Sequence, residues 1–420
     1  MWEILIIVPL VLLLAGVPIF ALLLITALLA LYASGLQTDV MPVLLFGGLD
    51  SYPLVAIPLF ILAGEIMGRG GIAKRIITWV LAVVGGVRGS LALTTIASSE
   101  LFGAISGSAV ATVAAVGRLL LPALRDGGYG ERFAISLVAA SGAIAIVIPP
   151  SIAMILYAVA AQQSVTTLFL AGILPALFIG AVDSLYVLAY ARRKGVPATA
   201  RIDWGTLAAA TRDAAWAFGA PIIIFGGIYG GAFTPTEAAG IAVVYSALVS
   251  VYGYKDTTWQ DIWAITVSSA EVNAQILIIV AAASVYSWFV TTSGFPNGLF
   301  TLISNWHLGS IQILMVFNVL LLLVGSVVEP PAAILVLTPL FAPLLQSMGV
   351  NLIHLGIIMT VNLSIGMYLP PMGLNILAAH SLFRVPLRQL FVGVIPFVLI
   401  NFLALLVITF VPALSLAFLK

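Results

Sequence analysis

Charge is what this sequence has least of. Of its 420 residues only 7% are Asp, Glu, Lys or Arg, whereas a soluble domain carries roughly 25%. So little charge cannot cover a water-facing surface. The 62% apolar content and mean hydropathy of +1.22 point instead to a lipid bilayer. With 16 Lys and Arg against 15 Asp and Glu, the net charge of +1 argues against a nucleic-acid partner. Cysteine is absent, which excludes structural disulfides and thiolate metal sites but leaves the compartment open.

Other absences narrow the chemistry. The three histidines, His307, His354 and His380, are scattered, with no HExxH spacing. No acidic pair typical of prenyl-chain chemistry occurs, and no GxxxxGK phosphate loop. Ser106 could imitate a nucleophile, but no basic partner follows it at an equivalent place. An intramembrane enzyme and a primary pump are therefore disfavoured, and neither a nucleotide nor an organic cofactor is expected. A passive channel stays open, because re-entrant loops also build selectivity filters. Dependence of uptake on an ion gradient separates the two.

What the chain does have is long uncharged runs: Ile4–Leu31, Phe133–Ala161 and Leu390–Leu419. Barrel strands would alternate apolar and polar residues, so these runs read as helices. The first, with no basic segment ahead of it, reads as a membrane helix and not as a cleaved signal. At about 20 residues per crossing, the expectation is an all-α, polytopic protein with roughly 10–13 embedded segments.

The two halves resemble each other at a fixed offset. Pro122 falls on Pro343, Pro149-Pro150 on Pro370-Pro371, and Pro175 on Pro396, each 221 residues apart. Prolines punctuate membrane helices in general, but that does not explain a shared register. Charge suggests that the repeats are inverted. Arg118, Arg125 and Arg132 mark 118–132, while its counterpart 339–353 holds no Lys or Arg. Conversely, 158–167 has none, while 379–388 has Arg384 and Arg388. Arg192, Arg193, Lys194 and Arg201 close the first half. Under the positive-inside rule, 118–132, 192–201 and 379–388 are cytoplasmic, and 158–167 and 339–353 lie outside. Equivalent loops then sit on opposite sides.

Two kinds of interruption recur. FGAISGSAVAT (Phe102–Thr112) and GSVVEPPAAI (Gly325–Ile334) are breaks in stretches too short for two crossings, and read as re-entrant hairpins. SGAIAIVIPPS (Ser141–Ser151) and SIGMYLPPMG (Ser364–Gly373) read as helices broken by a double proline. Residues 1–200 form the first repeat, with scaffold helices, a hairpin near 98–118 and a broken helix near 134–158. Residues 201–420 form the second, with a hairpin near 310–345 and a broken helix near 353–378. Freed carbonyls and nearby hydroxyls suit Na⁺, and half-helix N-termini suit an anion. The alternative is that Gly and Pro only permit close helix packing.

Acids at membrane depth mark function by default. Glu329 ranks first because it sits at the second hairpin's break. Glu237, after Pro235, is either a site residue or a carboxylate on its own helix N-terminus. Glu100, Asp183 and Glu271 rank low, as near-interface residues. Asn362 and Asn375, flanking the second double proline, either bridge helices or touch solute.

The ordered motifs resemble the large membrane subunit of the tripartite ATP-independent periplasmic (TRAP) transporters. They run from AGEIM-x-x-GGI (Ala63–Ile72) through FGAISGSAVAT, IPPSIAMILY, FLAGILP and GGAFTPTEAAG to Pro330–Pro343 and GMYLPPMGLNIL. The resemblance implies an elevator-type fold in a bacterial inner membrane, driven by Na⁺ at two sites. It also implies a small four-helix membrane partner, and a periplasmic binding protein that delivers a carboxylate such as a C4-dicarboxylate or sialic acid. The first Na⁺ site would use Ser106 and Ser108 with carbonyls near Ala145, Ile148 and Pro150. The second would use carbonyls near Gly325, Gly366, Leu369 and Met372. The sequence departs from the family pattern at Ala109, Ala145, Glu329 and Leu369. A proton-coupled carrier using the same hairpins is the remaining alternative.

The inverted reading is checked by labelling. A cysteine introduced at Gly195 should react only from the cytoplasmic side, and one at Gln346 only from the other. Reaction of both from one side removes the inversion.

Overall fold

The computed structural model describes the chain except residues 1, 36–37, 199–202, 296–297, 299–300, 302–308 and 420, so Arg201 and His307 lie outside the described residues. The described residues fold into helices joined by short turns. The opening elements are α1 (Trp2–Leu14), α2 (Ile19–Ala33), α3 (Val40–Leu49), α4 (Ala56–Arg69) and α5 (Ile72–Val84). A hairpin follows, α6 (Ser90–Ser106) and α7 (Ala109–Asp126), then an interrupted helix, α8 (Glu131–Ile144) and α9 (Ile152–Ala160), then α10 (Val165–Lys194). The second half opens with α11 (Trp204–Tyr229), α12 (Pro235–Leu248) and α13 (Trp259–Thr292). It continues with a hairpin, α14 (Ser310–Gly325) and α15 (Pro330–Ser347), and an interrupted helix, α16 (Leu352–Gly366) and α17 (Leu374–Phe383). It closes with α18 (Leu387–Phe410) and α19 (Ala413–Leu416).

Among the described residues, six helices are long and apolar enough to cross a bilayer. The exposed side chains have the character of a lipid-facing surface. Phe46, Ile222, Leu323 and Leu403 are each more than 60% exposed although apolar, which only lipid or a partner can tolerate at this density. The interior is the opposite case. Every residue of α8 from Phe133 and of α16 from Ile353 is buried. Both are largely apolar all round, as a helix surrounded by protein requires, with a few buried polar residues such as Ser141, Asn362 and Ser364.

Local signals explain where helices start and stop. Ser164 accepts a hydrogen bond from Thr167 N at the start of α10, and Gly195 ends it at φ +65°, just past Arg192, Arg193 and Lys194. A hydroxyl N-cap, a C-terminal cluster of cations and a left-handed glycine each favour those ends. On the scaffold, Arg75 of α5 bonds Asp213 of α11 at 3.3 Å and Asp256, with its guanidinium 3.7 Å from the Tyr254 ring centre. One side chain thereby ties α5, α11 and the turn after α12.

Each hairpin touches the interrupted helix of its own half through backbone. At Gly103 the nearest neighbours are Ala145 and Ile148, and at Gly107 the nearest is the Pro150 carbonyl. In the second half Gly366 faces Gly325. Gly366→Ala would set a Cβ 2.6 Å from Gly325 Cα and 2.8 Å from its carbonyl oxygen, forcing a shift that costs about 1–3 kcal/mol. Thermal unfolding of this variant in detergent should begin a few degrees lower. Gly240→Ala, whose nearest atom lies 3.9 Å away, should not move it. Equal midpoints for both would mean that the contact is looser than described.

Candidate functional site

At the first hairpin the chain reverses in three residues. Gly107 takes φ +58° and donates its N–H to Gly103 O, and Ser108 returns to extended backbone to cap α7. Ser108 Oγ accepts from Ala111 N at 3.4 Å, and Ser106 Oγ lies 3.3 Å from Thr112 Oγ1. Both hydroxyls are thus held at the tip. The facing interruption, 145–151, follows Ile144, and its Pro149-Pro150 bond is cis. Ser151 Oγ accepts from Met154 N and donates to Ile146 O. No described hydrogen bond reaches the carbonyls of Ala145, Ile148 or Pro150. Unpaired carbonyls beside two hydroxyls are the donor set a hard cation takes.

The second half is built alike, with Pro370-Pro371 also cis. Gly325 ends α14, and Glu329 stands at the N-cap of α15 ahead of Pro330 and Pro331. Gly325 and Gly366 are in backbone contact, with Leu369 three residues further along the same interruption. Leu369 N donates to Gly366 O and Leu369 O accepts from Gly373 N, so each of these carbonyls keeps one lone pair. Met372 lies at the outer edge, its side chain more than half exposed.

Between the two hairpin tips lies a cavity of about 480 Å³. Ser106–Ala109 and Glu329–Pro331 border it, together with the interruptions at Ile146 and Met367. The scaffold closes it with Ile61, Gly64 and Glu65 of α4 and Val272, Gln275 and Ile276 of α13. The first residues of α7, α9, α15 and α17 all open onto it. Four helix N-termini give it a positive field although no Lys, Arg or His lines it. Pro330 and Pro331 carry no N–H, so α15 adds field without donors. The carboxylates on the wall are Glu329 and Glu65, and Glu65 is paired with Arg69 at 3.0 Å.

Of the site candidates, Ser106, Ser108 and Glu329 line this cavity; Ala145, Ile148, Pro150, Gly325, Gly366, Leu369 and Met372 do not, and neither do Glu237, Asn362 and Asn375. Glu237 is exposed and closes a capping box with Thr234, whose N–H and Oγ lie 2.8 Å from Glu237 Oε2. Its carboxylate serves its own helix. Asn362 and Asn375 are fully buried and bridge helices. Asn362 Nδ2 donates to Asn318 Oδ1 at 2.7 Å, and Asn318 to Thr409 Oγ1. Asn375 Nδ2 donates to Ala139 O at 2.9 Å.

Of the acids ranked low, Glu271 is exposed on α13. Asp183 is 1% exposed, hydrogen-bonded to Asn401, and Glu100 has a buried carboxylate oxygen without a partner. Counting along α10 could have found Asp183, because it stands 11 residues before Lys194, about 16 Å along the helix.

The bridging role of Asn362 is testable. Asn362→Leu leaves Asn318 Oδ1 without its buried donor and should cost about 1–3 kcal/mol of stability. The half-saturating solute concentration should stay unchanged. A variant as stable as the parent but altered in solute affinity would return Asn362 to the site.

Comparison with known proteins matches residues 6–414 to a family model described as "Tripartite ATP-independent periplasmic transporter, DctM component". The chain is 39% identical over 373 residues to the C4-dicarboxylate TRAP transporter large permease protein DctM of Pseudomonas aeruginosa, covering 89% of this chain and 87% of that one. It is 38% identical over 372 residues to the ectoine TRAP transporter large permease protein TeaC of Halomonas elongata, with the same coverage. It is 37% identical to the isethionate TRAP transporter permease protein DctMQ of Oleidesulfovibrio alaskensis, over 97% of this chain but 64% of that one. Among solved structures, the Alcanivorax borkumensis YdaH transporter aligns over 97% of this chain and 98% of its own, with a TM-score of 0.64 at 14% identity. Neisseria gonorrhoeae MtrF aligns over 97% and 94%, with a TM-score of 0.65 at 12% identity. These two likenesses concern the fold.

Proposed function

Because the chain belongs to the tripartite ATP-independent periplasmic transporters as their DctM, or large permease, component, we propose that it carries a small organic acid inward across a bacterial inner membrane, driven by Na⁺. The observation that carries this reading is the cavity between the hairpin tips, onto which four helix N-termini open. An anion is held there by helix ends and hydroxyls in place of an arginine clamp. Relatives named for C4-dicarboxylate, isethionate and ectoine fit a site that reads one acidic group on a compact body.

Na⁺ supplies the driving force when bound, and the residues present suit it. Ser106, Ser108 and the carbonyls of Ala145, Ile148 and Pro150 would hold one ion. Gly325, Gly366, Leu369 and Met372 would offer carbonyls to the second. The hairpins and interrupted helices move together against the scaffold of α1–α5 and α11–α13, which is the elevator reading.

A two-fold relation between the halves is supported by one bond. Ser364 Oγ donates to Ala143 O at 2.7 Å, and these positions are 221 residues apart, the spacing of the prolines. Equivalent positions touch each other only near a two-fold axis. Together with the charge bias of the loops, this supports inverted repeats.

Membership of a tripartite family supports two partners: a periplasmic binding protein that delivers the solute, and a small four-helix subunit that completes the membrane unit. In DctMQ this chain matches 64% of the length, leaving room for such a subunit.

Uptake into proteoliposomes containing the whole complex tests the reading. Organic-acid uptake should require an inward Na⁺ gradient and vanish when it is collapsed. Ser106→Ala should raise the half-maximal Na⁺ concentration by roughly tenfold to 150-fold, the effect of losing about 1.5–3 kcal/mol of ligation. Ser108→Ala removes an N-cap as well and should also lower stability by about 1 kcal/mol. Unchanged Na⁺ dependence in both would leave ligation to the carbonyls. Robust high-affinity uptake by this chain alone would end the tripartite assignment.

A further inference from the structure

A second polar cluster lies inside the fold, away from the cavity wall. Asp183 of α10 is 1% exposed and Asn401 of α18 is 2% exposed. Asn401 Nδ2 donates to Asp183 Oδ1 and Oδ2 at 3.2 and 3.3 Å, and to Tyr368 Oη at 2.8 Å. Its own amide oxygen has no partner. Glu100 of α6 reaches the same place. Its carboxylate occupies the space a side chain at Gly180 would fill, and Gly180 lies one turn before Asp183 on the same helix face. Glu100 Oε1 is buried and unpartnered.

No described Lys, Arg or His forms an ion pair with either acid. The titratable groups facing Asp183 are Glu100, Tyr186 on α10 itself and Tyr368 from the second interruption. The elements packed on α10 bring Glu131 and Arg132 (α8), Tyr157 (α9), Arg212 and Asp213 (α11), His354 (α16) and Arg388 (α18). None of these forms a described bond with Asp183 or Glu100. Two buried carboxylates with no cation beside them inside a membrane protein mark a functional site by default.

We propose that Asp183 and Glu100 form a proton-carrying site that binds and releases one proton in each transport cycle, linked to the second interrupted helix through Asn401 and Tyr368. The proton passes between a carboxyl oxygen and water, with no other bond made or broken. When Asp183 is ionised, the amide N–H of Asn401 faces it. When Asp183 is protonated, its O–H becomes a donor, and the unpartnered amide oxygen becomes the acceptor after an amide turn. Tyr368, next to Leu369, feels which state holds.

This inference rests on the transport reading, so its test has one arm that does not. Infrared spectra of the purified complex at neutral pH should contain a protonated-carboxyl C=O band, reduced in Asp183→Asn and in Glu100→Gln. In proteoliposomes at a fixed Na⁺ gradient, solute uptake should acidify the lumen. The half-saturating solute concentration should rise by up to about tenfold per pH unit above the pair's titration, as one linked proton requires. Both variants should flatten that dependence and abolish the acidification, while still taking up solute at low pH. If Asp183→Asn does not assemble, Glu100→Gln decides, because its Oε1 makes no bond that folding would lose. A missing band, or an unchanged pH profile in an assembled variant, overturns the proposal. Absence of uptake by the parent at every pH overturns the transport reading instead, and the infrared arm still answers for the proton.

Discussion

A peptide group within a bilayer has no water to turn to, and this chain interrupts its helices four times where that matters most. Side-chain caps and backbone turns close the account of donors there. Gly107 folds its N–H back to Gly103 O, and Ser108 and Ser151 supply side-chain oxygens to the next helix. In the second half the chain uses its own backbone, with Asn375 N on Met367 O and Gly373 N on Leu369 O. The acceptors are not all closed, since the carbonyls of Ala145, Ile148 and Pro150 receive no described donor. The ion chemistry proposed for the first interruption starts from those left-over acceptors.

The halves are held against each other by a few polar links in an apolar interior. Ser364 and Asn375 both donate to carbonyls of α8, at Ala143 and Ala139, one turn apart. These carbonyls accept a second bond from the opposite half without giving up a helix. Farther out, the chain Asn362–Asn318–Thr409 ties α16 to α14 and α18. Such links are costly to leave half made in a low-dielectric interior. They fix the relative position of elements that apolar packing alone would leave free to slide.

The prolines made the interruptions legible, because a proline removes a donor wherever it stands, and a shared register of 221 residues repeats the removal. The helical class followed from composition, and the family from motif order. The helices on either side of the two tips run over 90–126 and 310–347. Glycine and serine mark only the tip, while the arms look like any apolar helix. Glu237, Asn362 and Asn375 were ambiguous because a polar residue beside a proline suits a cap, a bridge or a ligand, and only the partner decides. Asp183 and Glu100 ranked low in the sequence for a similar reason. Their surroundings come from Gly180, Tyr368 and Asn401, which lie as far as 218 residues from Asp183.

The approach of Gly325 to Gly366 has a mechanical consequence. A joint made of side chains has play, because rotamers exchange and methyl groups slide before force reaches the chain. Backbone set directly on backbone has no such lost motion. A push on the tip of the second hairpin would arrive at the second interrupted helix undiminished, the two being joined as one stiff piece.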